Sequence, residues 1–117
     1  MARSDDPADF LPLTEAAFHV LLALADGDAH GYALLEAVRR QTDGAVRLST
    51  GTLYGILSRL LADGLIADLA RRDPDDDRRR FYRLTPLGRA VARAESARLE
   101  RAVGVARAKA MLKPRRG

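Results

Sequence analysis

The stretch Asp73 to Tyr82, DPDDDRRRFY, crowds four carboxylates, three guanidiniums and two aromatic rings into ten residues. Asp73, Asp75 and Asp77 have the alternate spacing of a calcium loop. That loop needs glycine at its sixth position and glutamate at its twelfth, and here those are Arg78 and Leu84. A calcium site is therefore not expected. His19 and His30 stand eleven apart with no cysteine in the chain, which gives no transition-metal set either. No nucleophile sits with a base, and no pair of carboxylates stands out, so neither an enzyme nor a cofactor is expected. What remains is polyanion chemistry. Arg78, Arg79 and Arg80 suit phosphate, and Ser49, Thr50 and Thr52 put hydroxyls where a helix begins and free amides favour anions.

The charge pattern supports this reading. The net charge of +4 hides an asymmetry: residues 1 to 48 carry four basic and eight acidic side chains, and residues 49 to 117 carry sixteen and eight. Of the 20 basic residues 18 are arginine, the side chain best shaped for bidentate phosphate and guanine contacts. With 117 residues the chain makes one domain with a real core. It has no apolar run near the ~20 residues a membrane span needs, no signal-like start and no cysteine, so the expected location is the cytoplasm.

The elements that must hold these groups can be read from caps and periodicity. Residues 1 to 12 form a loose arm. Thr14 caps a first helix that stops at Gly27, and a second helix runs from Tyr32 to about Gln41, with Leu34, Ala37, Val38 and Gln41 on one face and Gly44 as its stop. Ala45 to Leu48 reads as a small strand. Ser49 or Thr50 then caps a third helix in which Leu53, Ile56, Leu57, Leu60 and Leu61 follow the amphipathic template at every position. Its other face presents Gly51, Gly55, Ser58 and Arg59, flanked by Thr52 and Tyr54. Residues 65 to 71 and 79 to 84 read as two short strands around a hairpin, with Asp73 to Asp77 as a solvated tip and Arg78 to Arg80 as the phosphate-facing edge. Thr85 and Pro86 start a fourth helix that can run to about Leu112, before Pro114 stops it. Leu87, Val91, Leu99, Val103, Ala106 and Ala110 form a weak stripe on it, suited to packing against a second copy.

The expected fold class is mainly α with a small β-wing: a winged helix-turn-helix over residues 13 to 85, a C-terminal dimerisation helix over 86 to 112 and a basic tail over 113 to 117. In that arrangement the outer face of the third helix enters a major groove about 12 Å wide. Arg59 is the expected lead contact from the helix, and Tyr54 offers its hydroxyl to phosphate from the flank.

The blocks HGYALLEAVRR, LSTGTLYGILSRLLADGLI and RRRFYRLTPLGRA resemble those of PadR-family transcriptional regulators, in the same order and spacing over about residues 13 to 95. The resemblance implies a homodimeric winged-helix repressor on a roughly palindromic operator of double-stranded DNA. By position it places Ser49, Thr50, Thr52, Tyr54 and Arg59 on the recognition helix, Tyr32 at the start of the second helix and Arg78 to Arg80 on the wing. With a single C-terminal helix the chain resembles the short group of the family. Some of that group bind flat aromatic molecules between paired tryptophans, and this chain has no tryptophan. A small-molecule effector is thus left without an identity. The rival reading is a winged-helix interaction module that presents its basic hairpin to an acidic protein. The serine and threonine cluster beside the arginines favours DNA.

Overall fold

The computed structural model describes residues 4–73 and 76–115, with side chains described outside 70–79. Its elements are a short 3-10 turn at Pro7–Phe10, then α1 (Glu15–Ala25), β1 (Ala29–His30), α2 (Gly31–Gln41), α3 (Thr50–Ala62), β2 (Ile66–Asp73), β3 (Asp76–Leu84) and α4 (Pro86–Ala108). Three helices open on the same device. The hydroxyls of Thr14, Ser49 and Thr85 accept from the amides of Ala17, Thr52 and Gly88, satisfying a donor that a helix start leaves free. At α2 the cap is His30, whose Nδ1 accepts from Ala33 N–H at 3.2 Å.

One apolar core joins all the helices. Val20, Leu21 and Leu24 of α1 meet Leu34 and Val38 of α2, Leu53, Leu57 and Leu60 of α3, and Val91 and Ala92 of α4. Leu65, Ile66, Tyr82 and Leu84 close it from the sheet side. The alternation along β3 is as expected, with Tyr82 and Leu84 inward, Phe81 half-buried and Arg83 exposed. The antiparallel sheet has the order β1-β3-β2.

Five expectations need correction. The arm is not loose over its later residues: Asp6 caps the 3-10 turn Pro7–Phe10, which lies against α4, and Phe10 and Leu11 pack on the core. Ala45 to Leu48 joins no ladder: the chain bends at Ala45 and Val46 to Leu48 form no regular element, with Val46 and Leu48 half-buried and Ala45 and Arg47 exposed. The third strand is instead Ala29–His30, paired with Tyr82 and Phe81. The wing strands run further into the acidic stretch than their hydrophobic pattern suggests, as far as an Asp73 and Asp76 pairing, with a register shift after Asp68. Helix α4 ends at Ala108 rather than Leu112. Ala110 takes a left-handed φ of 63°, and Met111 N–H closes back on Ala106 O at 2.8 Å, so the chain leaves the helix well before Pro114. Finally, Val91 is fully buried in the protomer's own core and Leu87 packs against it, so neither is part of an outward stripe.

The wing is fixed to α4 at its base. Thr85 Oγ1 donates to Gly64 O at 2.7 Å while accepting from Gly88 N–H at 3.0 Å, and Thr85 N–H donates to Leu65 O at 3.1 Å. Gly88 passes so close that a Cβ there would lie 1.9 Å from Leu65 O. Only glycine fits at that crossing.

Candidate nucleic-acid interface

Helix α3 buries Leu53, Leu57 and Leu60 and exposes Thr50, Gly51, Thr52, Tyr54, Gly55, Ser58 and Arg59. At 100° per residue the centre of the open face is Gly51, Gly55 and Ser58, with Tyr54 on one flank and Thr52 and Arg59 on the other. Ser49 Oγ accepts from Thr52 N–H at 3.1 Å and donates to Thr52 Oγ1 at 2.9 Å. This cap uses the third amide of the helix and leaves those of Thr50 and Gly51 at its open, dipole-positive end. A β-carbon added at Gly51 or Gly55 would meet nothing within 4 Å, so both mark open surface. These positions let a backbone come close to another molecule.

The flanks are held by different neighbours. Tyr54 is 46% exposed, and its ring end lies over the start of α2, where a β-carbon on Gly31 would be 2.8 Å from its hydroxyl. The next residue, Tyr32, is 63% exposed, so the two phenols flank the α2 N-terminus. Arg59 belongs to the other side. It lines a cleft of about 440 Å³ with Asp9, Phe10, Thr14, Ala17 and Asp63, between α3, the start of α1 and the N-terminal arm. It has no ion-pair partner among the described residues.

Of the wing arginines expected from sequence, Arg78 and Arg79 lie outside the described side chains, as do Asp73, Asp75 and Asp77 of the calcium-like spacing. Arg80 is exposed and pairs across the hairpin with Asp68 at 3.1 Å. Arg83 is committed elsewhere: its guanidinium bridges both oxygens of Asp28, at 3.0 and 2.9 Å. The hydrogen bond and the charge of Asp28 raise its pKa. This fork ties β3 to the loop after α1.

Two residues that position the helices were missed in the sequence. His30 caps α2 and meets Phe81 edge-on, with ring centroids 5.3 Å apart. The HG pair at the α2 start was the available signal, but histidine is not among the usual capping side chains. Glu95, on the face of α4 that turns inward, is 1% exposed. Its Oε2 accepts from Leu13 N–H at 2.7 Å and its Oε1 from Arg98 Nε. The Arg98 hydrogen bond, aided by the Leu13 amide, holds the carboxyl below its ordinary range against the opposing effect of burial. A charged residue amid an alanine-rich helix reads as surface, and nothing local betrays that it is buried.

The sequence model of the transcriptional regulator PadR-like family matches residues 20–94, which cover α2, α3, the wing, most of α1 and the first part of α4. The chain belongs to the PadR-like family. It is a DNA-binding transcriptional regulator. A transcriptional regulator of Mycobacterium tuberculosis is 42% identical over 82 residues, 70% of this chain and 73% of that protein. A PadR family transcription regulator of Clostridium difficile superposes with a TM-score of 0.69 at 21% identity, over 80% of this chain and 96% of the other, and shares the fold. BpsR of Bordetella bronchiseptica, whose DNA binding is regulated by 6-hydroxynicotinic acid, superposes with a TM-score of 0.61 at 31% identity, over 80% of this chain and 64% of its own. Among the described residues of this PadR-like chain no helix is long and apolar enough to cross a membrane. Nor do three metal-capable side chains gather there.

Proposed function

We propose that this PadR-like protein is a homodimeric repressor. Each protomer places the start of α3 in a major groove, and the pair reads a roughly palindromic operator with half-sites about one helical turn apart. The observation that carries this is the open face of α3, where the Ser49 cap, the free Thr50 and Gly51 amides and the hydroxyls of Thr52 and Ser58 stand together. In this reading Tyr32 and Tyr54 hold phosphates beside the α2 start. Arg59 contacts DNA from the α3 flank, and Arg78, Arg79 and Arg80 track the neighbouring backbone or minor groove.

The dimer forms through the outer half of α4. Leu99, Val103 and Ala106 share one side of it, and Ala110 follows just beyond its end. Leu99 is 38% exposed, bordering a cleft with Phe18 and His19, and Val103 and Ala106 are only half-buried, so much of that side stays open in the protomer. An effector would act by changing the angle between the two reading heads; that a small molecule can regulate DNA binding on this fold is supported by BpsR, which responds to 6-hydroxynicotinic acid. Repression then follows from occlusion of the polymerase.

Footprinting the purified protein on the DNA upstream of its own gene tests the reading, and absence of any protected site counts against it. On a protected duplex, Arg59→Ala is expected to weaken binding about tenfold, mostly for the cognate sequence. Arg79→Ala weakens all sequences alike and lowers the salt slope by about one. Parent-like binding by both variants would remove these contacts from the scheme.

A further inference from the structure

We infer that the C-terminal end of α2 and the turn after it form a second phosphate-binding surface, in which Arg39, Arg40 and Arg47 grip the DNA backbone beside the groove that α3 enters. This rests on the DNA-reading role of α3 and extends it to a part of the molecule that no expected contact includes. Residues 1 to 48 are acidic overall, yet three of their four basic side chains fall within the nine residues from Arg39 to Arg47. They surround an open concavity of about 560 Å³ together with Asp43 and Gly44.

The placement follows from helix geometry. Arg39 is seven residues after Tyr32 and so within about 20° of the same side of α2, roughly 10 Å further along the axis. Arg40 lies about 80° round from that line. If the Tyr32 end of α2 meets one run of phosphates, a helix of about 16 Å carries the arginine end across a groove about 12 Å wide to the other wall. Arg47 arrives at the same place from the α3 side, two residues before the Ser49 cap, or about 7 Å of extended chain.

The platform beneath the arginines is stiff. Asp43 and Gly44 take left-handed φ values of 51° and 82°, and Gly44 N–H donates to Arg39 O at 2.8 Å. Thr42 Oγ1 donates to Val38 O at 2.9 Å and accepts from Val46 N–H at 3.0 Å. Val46 and Leu48 pack on the core on either side of the exposed Arg47. The guanidiniums themselves are weakly engaged. Arg39 meets Glu36 at 3.0 Å in an exposed pair, Arg47 reaches Gly44 O only at 3.4 Å, and Arg40 has no side-chain partner among the described residues. Exposed pairs of this kind exchange readily for a phosphate. An ordinary solvated charge cluster needs neither a braced turn nor such convergence.

The test is a salt series of fluorescence titrations with the full chain on a footprinted duplex and on an unrelated duplex of equal length. Arg40→Gln and Arg47→Gln are each expected to lower the slope of log affinity against log salt by about one, and the triple variant with Arg39→Gln by about three, on both duplexes. Arg47→Lys should restore the parent slope, because a point charge suffices for phosphate. Thermal melting checks that the variants fold. Parent-like slopes and affinities in all three glutamine variants, with the parent protein binding well, would overturn this surface alone. If the parent binds neither duplex, the functional reading fails and this surface fails with it.

Discussion

Glu95 is a charge taken out of water and answered by two donors, the Leu13 amide and Arg98. Glu95→Ala leaves the Leu13 N–H without its acceptor and should cost about 2–3 kcal/mol in chemical unfolding. The pH dependence follows from the direction of the shift. Since the folded carboxyl titrates below its ordinary value of 4.5, its contribution is present above that pH and is lost as pH falls through the lower folded value. In acid titrations followed by circular dichroism, the stability gap between parent and Glu95→Gln should therefore close below pH 4.5. On the wing, Arg80 is held by Asp68 across the hairpin. Asp68→Asn frees it for phosphate, so DNA binding should tighten several-fold at low salt and become steeper in a salt series. Arg80→Ala in the same background should abolish that gain.

At the scale of elements, the crossing of α4 over the wing base decides how the hairpin is aimed. Gly88→Ala puts a methyl into Leu65 O and must push α4 or the turn aside, for which about 1–3 kcal/mol of destabilisation in thermal or urea unfolding is expected. Much of the element order was legible because it depends on local chemistry. Ser or Thr followed by a helical pattern marked three of the four helix starts, and the apolar stripe of α3 showed which side goes to the core. The misreadings arose where a remote partner decides. Ala45 to Leu48 has a strand's alternation, but Ala29–His30 occupies the β3 edge beside Phe81 and Tyr82, and Thr42 braces the loop instead. Likewise, the spacing of Val91 on α4 fits an outward stripe as well as an inward one until the core is assembled around it. The proposed recognition face was readable as small and hydroxylated residues opposite a stripe. The flank assigned to Arg59, beside α1 and the arm, was not, because it depends on how three separate segments meet.

Over the whole molecule, every fully buried residue of α4 lies at or before Glu95, and its outer half is at most half-buried within the protomer. A chain ending at Arg98 keeps the core and the Glu95 pair. It should fold, run as a monomer in light-scattering chromatography, and lose affinity for a two-half-site operator far more than for a single half-site. Retained dimerisation by that chain would place the interface elsewhere. The sheet has a different consequence. Its third strand is only two residues long and faces Phe81 and Tyr82, so the length of β3 beyond them has β2 for a neighbour on one side and no strand on the other among the described residues. Open ladder edges are templates on which other chains can polymerise. The run from Asp73 to Arg80, with seven ionisable side chains in eight residues, sits in the hairpin where such stacking would start. Mixed charge along such an edge is expected to disfavour that stacking, which would give the acidic residues a purpose that the attraction of DNA does not.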